Sequence, residues 1–167
     1  RLSLNSMLFY NAYASSSVCS PTRAAIMTGK HPARVNITDW IPGLEEQPHY
    51  NNKNKPLIGP QDLNELPLSE ITIAEVLKKN GYKTFYSGKW HLGSEGHYPE
   101  DQGFDINIGG FEKGSPMGGY YTPYKNPKLE DGPEGEYLTD RLTQETIDFI
   151  DSRDESKPFA AFLAFYN

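Results

Sequence analysis

The 167-residue chain has one cysteine, four histidines and two tryptophans. A single cysteine excludes an intrachain disulfide framework and any zinc cluster built on two or more thiolates. Two uses remain for it, as a small buried apolar group or as a chemical one, and composition does not choose between them. Basic residues are the minority, 16 Lys and Arg against 22 Asp and Glu, for a formal net charge of −6. That balance argues against a nonspecific nucleic-acid binder, which needs a basic stripe to displace counterions. No apolar run approaches the ~20 residues of a membrane span; the longest, Phe159 to Tyr166, has eight. The hydrophobic fraction of 37% looks thin until the 15 Gly are added, which brings it to roughly 46%, ordinary for a globular protein. The length suits one domain, or one piece of a larger one.

The chain opens on Arg1, with no charged segment leading into an apolar stretch. Its last residues, Phe159 to Asn167, read as a buried strand with nothing after it. Active-site residues often lie just beyond the carboxyl ends of such strands. Both ends therefore read as cuts in a longer enzyme, with any N-terminal signal missing.

Between them the pattern alternates helix and strand. Met7 to Ala14 reads as a strand or extended segment. Ser20 as N-cap and Pro21 at the first helical position predict a helix that stops at Gly29. Residues 31–68 are polar, rich in Pro and Asn, and aperiodic, as expected of a functional loop or one wrapped over a surface. Thr72 and Glu75 form a capping box for a second helix, with Ile73, Val76 and Leu77 as its apolar face and Asn80-Gly81 as its end. Tyr82 to Ser87 reads as a strand, Gly88 to Gly93 as the loop at its carboxyl end, and Phe104 to Ile108 as a short strand. A Gly/Pro/Tyr-rich stretch follows from Gly109 to Gly135. A third helix then runs from about Leu138 to Ser152, with Leu138, Leu142, Phe149 and Ile150 on one face. This order predicts an α/β fold around a largely parallel sheet.

Cys19 stands immediately before the predicted helix start, within Val18-Cys19-Ser20-Pro21-Thr22-Arg23. Free amides and the helix dipole there favour anions and lower a thiol's pKa. Arg23 places a fixed cation in the first turn, suited to a tetrahedral oxyanion. The competing reading is a packed Cys19 and an Arg23 paired with a surface acid.

Cys19-Ser-Pro-Thr-Arg23, continued by Ala24 to Gly29, resembles the nucleophile signature of the type I sulfatases. A second signature of that family follows in order, Gly81-Tyr-Lys-Thr-Phe-Tyr-Ser-Gly-Lys-Trp-His91 and then Leu-Gly, with Gln102-Gly-Phe-Asp105 after it. The resemblance covers the whole chain and implies an alkaline-phosphatase-like fold, of which residues 1–167 are part of the catalytic domain, lacking the first strand and the C-terminal portion. It also implies that Cys19 is oxidised to Cα-formylglycine by a maturation enzyme. Thr22 stands where many members have Ser, and its hydroxyl preserves that chemistry. The family binds a divalent cation, usually calcium, through an Asp pair and an Asp-Asn pair that this chain does not contain. Cys19, as formylglycine, is the one metal ligand expected here, and the isolated fragment is expected to be inactive.

By the same resemblance, the hydrated aldehyde at residue 19 attacks sulfur and later expels sulfate. Arg23 holds the formylglycine, Lys89 contacts the sulfate oxygens, and His91 takes the proton from the second hydroxyl. His97 and Ser115 are further candidates for sulfate or substrate contact. His31 is explained by a helix end, and His49 has no motif support. Tyr120, Tyr121 and Tyr124 can stack on a sugar or simply pack.

The expected activity is sulfuric-ester hydrolysis. The alternatives are a phosphodiesterase or phosphonate-ester hydrolase of the same superfamily, or a non-catalytic domain that binds sulfated glycans. The long segments 31–68 and 109–137 imply an elaborate rim and hence a sulfated carbohydrate. The family resemblance places the enzyme in the periplasm or outside the cell.

Overall fold

Lys83–Gly88 forms the middle strand (β1) of a three-stranded parallel sheet, flanked by Ile106–Ile108 (β2) and Phe159–Ala164 (β3). The computed structural model describes residues 2–42 and 62–166. Three helices accompany the sheet: α1, Cys19–Thr28; α2, Ile73–Lys79; and α3, Leu138–Ser152. Phe85 pairs with Ile106 on one side and Ala161 on the other, so β1 is hydrogen-bonded along both edges.

Alternation along β1 sends neighbouring side chains to opposite faces. Phe85 stacks on Phe149 of α3, with ring centroids 4.4 Å apart, and Ser87 Oγ donates to the Leu142 carbonyl of the same helix (3.3 Å). Tyr86 points the other way, into a core with Ala24 and Met27 of α1, Ala74 of α2, Trp90 and Phe104. Helices thus cover both faces of the sheet, as parallel strands require. Burial of β1 from Thr84 to Gly88 follows from that sandwich.

The close approach of β1 and β3 depends on Gly88. Its φ is 101°, and a Cβ there would lie 2.1 Å from the Ala164 carbonyl oxygen. No side chain fits this position. The chain enters β1 through α2, whose capping box forms as expected: the Glu75 N–H donates to Thr72 Oγ1 (3.2 Å), and Glu75 Oε2 accepts from the Thr72 N–H (2.7 Å).

Five expectations change. Met7 to Ala14 forms no strand; its large apolar side chains are exposed and no sheet edge among the described residues pairs with them. Helix α1 begins at Cys19 with Val18 as its cap residue, because the Ser20 hydroxyl is engaged elsewhere. Ile73 and Val76 are 42% and 48% exposed, since α2 docks through the small Ala74 and Thr72 instead. Strand β3 is half-buried, being paired with β1 along one edge among the described residues. His31 caps a short 3-10 helix, Pro32–Arg34, by accepting from the Ala33 N–H (3.3 Å). The described parts of 31–68 do hug the core through Val35, Ile37, Ile41 and Leu66, while His49 lies outside the described residues.

Candidate active site

The first residue of α1 and the loop after β1 meet at the carboxyl end of the sheet, where parallel α/β folds place their chemistry. Thr22 fixes the approach to α1: its Oγ1 donates to the Ser16 carbonyl (2.9 Å) and accepts from the Ser16 N–H (3.1 Å). Val18 is extended and supplies no side-chain cap, so Cys19 opens the helix with no cap side chain over its first amides.

One turn on, Arg23 reaches across to the second motif. Its guanidinium donates to the Lys89 carbonyl (2.5 Å) and to the Tyr86 hydroxyl (3.3 Å), and Tyr86 donates in turn to the same carbonyl. Burial pushes the Tyr86 phenol up to about 12 against the opposing pull of Arg23, so it remains a neutral donor. The Lys89 N–H donates to the Ala164 carbonyl (2.8 Å), which anchors the loop to β3.

Trp90 and His91 are both buried, facing different surroundings. Trp90 meets Tyr86 edge to face, with centroids 5.2 Å apart, and its Nε1–H donates to the His97 carbonyl (2.8 Å). His91 has φ 57°, a left-handed conformation that non-glycine residues adopt rarely and often at functional sites. Its N–H donates to the Phe111 carbonyl (3.2 Å), its carbonyl accepts from Ser20 Oγ (3.0 Å), and its Nε2 contacts the Ile41 carbonyl. Burial lowers its pKa to about 4; the Ile41 carbonyl opposes that shift, and the charges of Lys89 and Arg23 reinforce it. The imidazole is therefore neutral at pH 7, with two cations near enough to act on it.

Cys19 and His91 line one cavity of about 500 Å³ together with Trp40, Glu112, Lys113 and Ser115. A second cavity of about 420 Å³ lies beside it, lined by Cys19, Arg23, Tyr86 and Phe162. Cys19 belongs to both, at their junction. Of the sequence-derived candidates, Cys19, His91 and Ser115 share the larger chamber, Arg23 lines the neighbouring cavity, and Lys89 lines neither of the two, its backbone carbonyl being the acceptor for Arg23. His97 is placed apart: its Nδ1 lies 3.2 Å from the Glu65 carboxylate without hydrogen-bond alignment, and its Cβ packs at Gly93. Tyr124 is buried and donates to Glu136 (2.8 Å), while Tyr120 donates to the Tyr166 carbonyl (3.2 Å), so these two rings pack. Tyr121 is exposed beside Tyr137.

Four participants were not legible beforehand. The Ile41 carbonyl is backbone in an aperiodic stretch and carries no sequence signal. Tyr86 looks like any strand aromatic, and Trp40 like any loop aromatic. Ser20 carries a signal, a hydroxyl beside Cys19, but its residue type reads equally as a helix cap. Among the described residues, no three His, Cys, Asp or Glu side chains cluster so as to hold a metal ion. No helix of the described residues is long and apolar enough to cross a membrane.

Comparison with known proteins gives the same picture. The sulfatase family model matches residues 1–167. An arylsulfatase of Hemicentrotus pulcherrimus is 30% identical over 187 aligned positions, covering 99% of this chain and 31% of the relative. Human arylsulfatase A is 37% identical over 112 positions, covering 65% of this chain and 19% of that protein. The chain thus spans less than a third of the length of these relatives. A solved structure of BT4656 in complex with its substrate D-glucosamine-2-N,6-O-disulfate aligns with a TM-score of 0.59 at 28% identity, covering 94% of this chain and 26% of that one. One of Ps i-CgsB in complex with k-i-k-neocarrahexaose aligns with a TM-score of 0.65 at 24% identity, covering 92% and 35%, and shows likeness of fold. The fold is accordingly the alkaline-phosphatase-like α/β fold that sulfatases share. A family signature at the start of α1, a second one folded against it, and a match that runs from end to end lead to one assignment: the chain belongs to the sulfatase family.

Proposed function

We propose that residues 1–167 are part of a sulfatase catalytic domain and supply the nucleophile and part of the sulfate pocket of a sulfuric-ester hydrolase. The observation that carries this reading is the hydrogen bond from Arg23 to the Lys89 carbonyl, which seats the cysteine helix against the loop bearing Lys89 and His91. Two cations and a neutral imidazole beside a helix start suit an ester that carries negative charge and must shed an alcohol.

In this reading Cys19, oxidised to Cα-formylglycine by a maturation enzyme, offers a hydrated aldehyde whose oxygen attacks sulfur as the alcohol leaves. Arg23 orients that group through the first turn of α1. Lys89 places its ammonium toward the sulfate oxygens, where a compact charge suits a tetrahedral anion. His91 accepts the proton of the second hydroxyl, the aldehyde re-forms, and sulfate is released. Ser115 lines the chamber within reach of substrate, whereas His97 lies outside its lining, beside Glu65.

A divalent cation, calcium, would polarise the oxygens at residue 19 when bound. The described residues do not themselves form its site; Cys19 as formylglycine is the one ligand this chain is proposed to give. A sulfated carbohydrate is the proposed substrate. The 28% identical neighbour bound to a disulfated glucosamine supports it, as does a chamber walled by Trp40 and Glu112. The proposed location is the periplasm or the cell exterior.

Mass spectrometry of the Cys19 peptide, taken from full-length protein co-expressed with a maturation enzyme, tests the reading. An aldehyde is expected in place of the thiol. A peptide carrying only thiol under those conditions removes the catalytic reading.

A further inference from the structure

Ser20 is fully buried and makes two bonds that have nothing to do with capping α1. Its hydroxyl donates to the His91 carbonyl (3.0 Å) and accepts from the Ile41 N–H (3.0 Å). Ile41 in turn presents its carbonyl to His91 Nε2. Three segments far apart in sequence thus close a ring: the nucleophile helix, the loop before residue 43, and the loop after β1.

The chemistry of the last contact is one-sided. A backbone carbonyl has no proton to give, so Nε2 must carry it. In a neutral imidazole the lone pair then lies on Nδ1. That atom is buried with no hydrogen-bond partner among the described residues. It lies next to Gly114, where a Cβ would come within 2.6 Å of it and 2.4 Å of Cε1. Gly114, Cys19 and His91 line the same chamber. The ring is held by one nitrogen and left bare at the other.

Resting on the hydrolase reading above, we propose that Ser20 is a positioning residue which, through Ile41, locks His91 as the Nε2–H tautomer and makes Nδ1 the proton-accepting atom. Ser20 touches no substrate. It fixes the height of the Ile41 carbonyl by holding the Ile41 N–H, and fixes the ring's backbone by holding the His91 carbonyl. The serine that follows the nucleophile therefore sets the state of the base, so the nucleophile and the residue that positions its base are adjacent in sequence. A threonine would retain the hydroxyl; an alanine would leave the Ile41 N–H and the His91 carbonyl buried without that partner.

Long-range ¹⁵N–¹H spectra of full-length protein labelled at histidine, recorded at pH 7, test this directly. Wild type is expected to show His91 as a single Nε2–H tautomer. Ser20→Ala is expected to show a mixture or the other tautomer, with kcat on an aryl sulfate lowered about tenfold or more and KM little changed. Ser20→Thr should restore both. An Nδ1–H ring in wild type overturns the proposal with no variant needed, as does a Ser20→Ala protein that keeps the wild-type ring spectrum. If wild type shows the Nε2–H ring but no sulfatase activity, the tautomer lock is supported and the hydrolase reading alone fails.

Discussion

Arg23 donates to the backbone carbonyl of Lys89 at 2.5 Å, and that bond joins two sequence signatures 66 residues apart. The acceptor is backbone, so the bond fixes the path of the loop and leaves the Lys89 side chain uncommitted to it. Tyr86 completes the junction by accepting from Arg23 and donating to the same oxygen. Arg23 lies one turn into α1, and this bond determines which way that side of the helix faces.

Removing the Tyr86 hydroxyl tests how much the junction matters. Tyr86→Phe keeps the ring between Trp90 and Phe104 and takes away two buried bonds. The denaturant midpoint should fall by an amount equivalent to about 1 kcal/mol. Arg23→Lys replaces the planar Nη1 that serves both acceptors with a shorter, tetrahedral ammonium, and kcat/KM on an aryl sulfate should drop about a hundredfold. If Arg23→Lys were as active as wild type, the guanidinium would have no orienting role.

Much of this was legible in the chain, and the exceptions have a common cause. The capping box of Thr72 and Glu75, the span of α3 and the strand before Gly88 all depend on neighbours within four residues, which is what pattern reports. The parallel sheet followed from their alternation. Both motifs could be read because their chemistry is local. Ser20 was misread as a cap because its actual partners, Ile41 and His91, lie 21 and 71 residues away. Val76 and Ile73 read as a buried face because periodicity reports amphipathicity and not which small residue lets a helix dock; here Ala74 does. Long-range hydrogen bonds to backbone leave no trace in residue type.

Gly114→Ala should damage the site without touching any charged group. A Cβ at 2.4 to 2.8 Å from three imidazole atoms forces the ring or the 112–115 segment to move. The expected loss in kcat is about tenfold or more, with a destabilisation of about 1–3 kcal/mol from overpacking. Steady-state kinetics and a urea melt on the same preparation separate the two effects. Wild-type kcat in Gly114→Ala would mean that the Nδ1 edge of His91 tolerates crowding.

At Gly88 the prediction concerns the fold alone. Alanine there meets the Ala164 carbonyl oxygen at 2.1 Å and must also hold φ near 101°. The strands have to part, and β3 carries the carbonyl that accepts from the Lys89 N–H. Gly88→Ala should lower stability by about 3 kcal/mol or more, with faster hydrogen exchange along β1 and β3 than elsewhere. Uniform exchange rates matching wild type would show that the approach is looser than this geometry.

Asp105 gives a pH signature remote from the active site. Burial alone would raise its carboxyl pKa. The hydrogen bond from Lys78 (2.9 Å), the Thr84 N–H (3.0 Å) and the nearby Lys83 (3.5 Å) outweigh that and hold it below its ordinary value of 3.8. A carboxyl with a depressed folded pKa contributes stability that is present above the unfolded value and lost as pH falls through the folded one. Asp105→Asn should therefore cost about 1 kcal/mol at pH 7, a modest figure because both lysines are half exposed. Below about pH 4 the gap between variant and wild type should narrow and then close, as wild type gains its proton. Urea midpoints across pH 2 to 7 give both curves. A gap that stays constant down to pH 2 would mean that the variant's cost comes from placing an amide NH2 among the donors at this position and not from the lost charge.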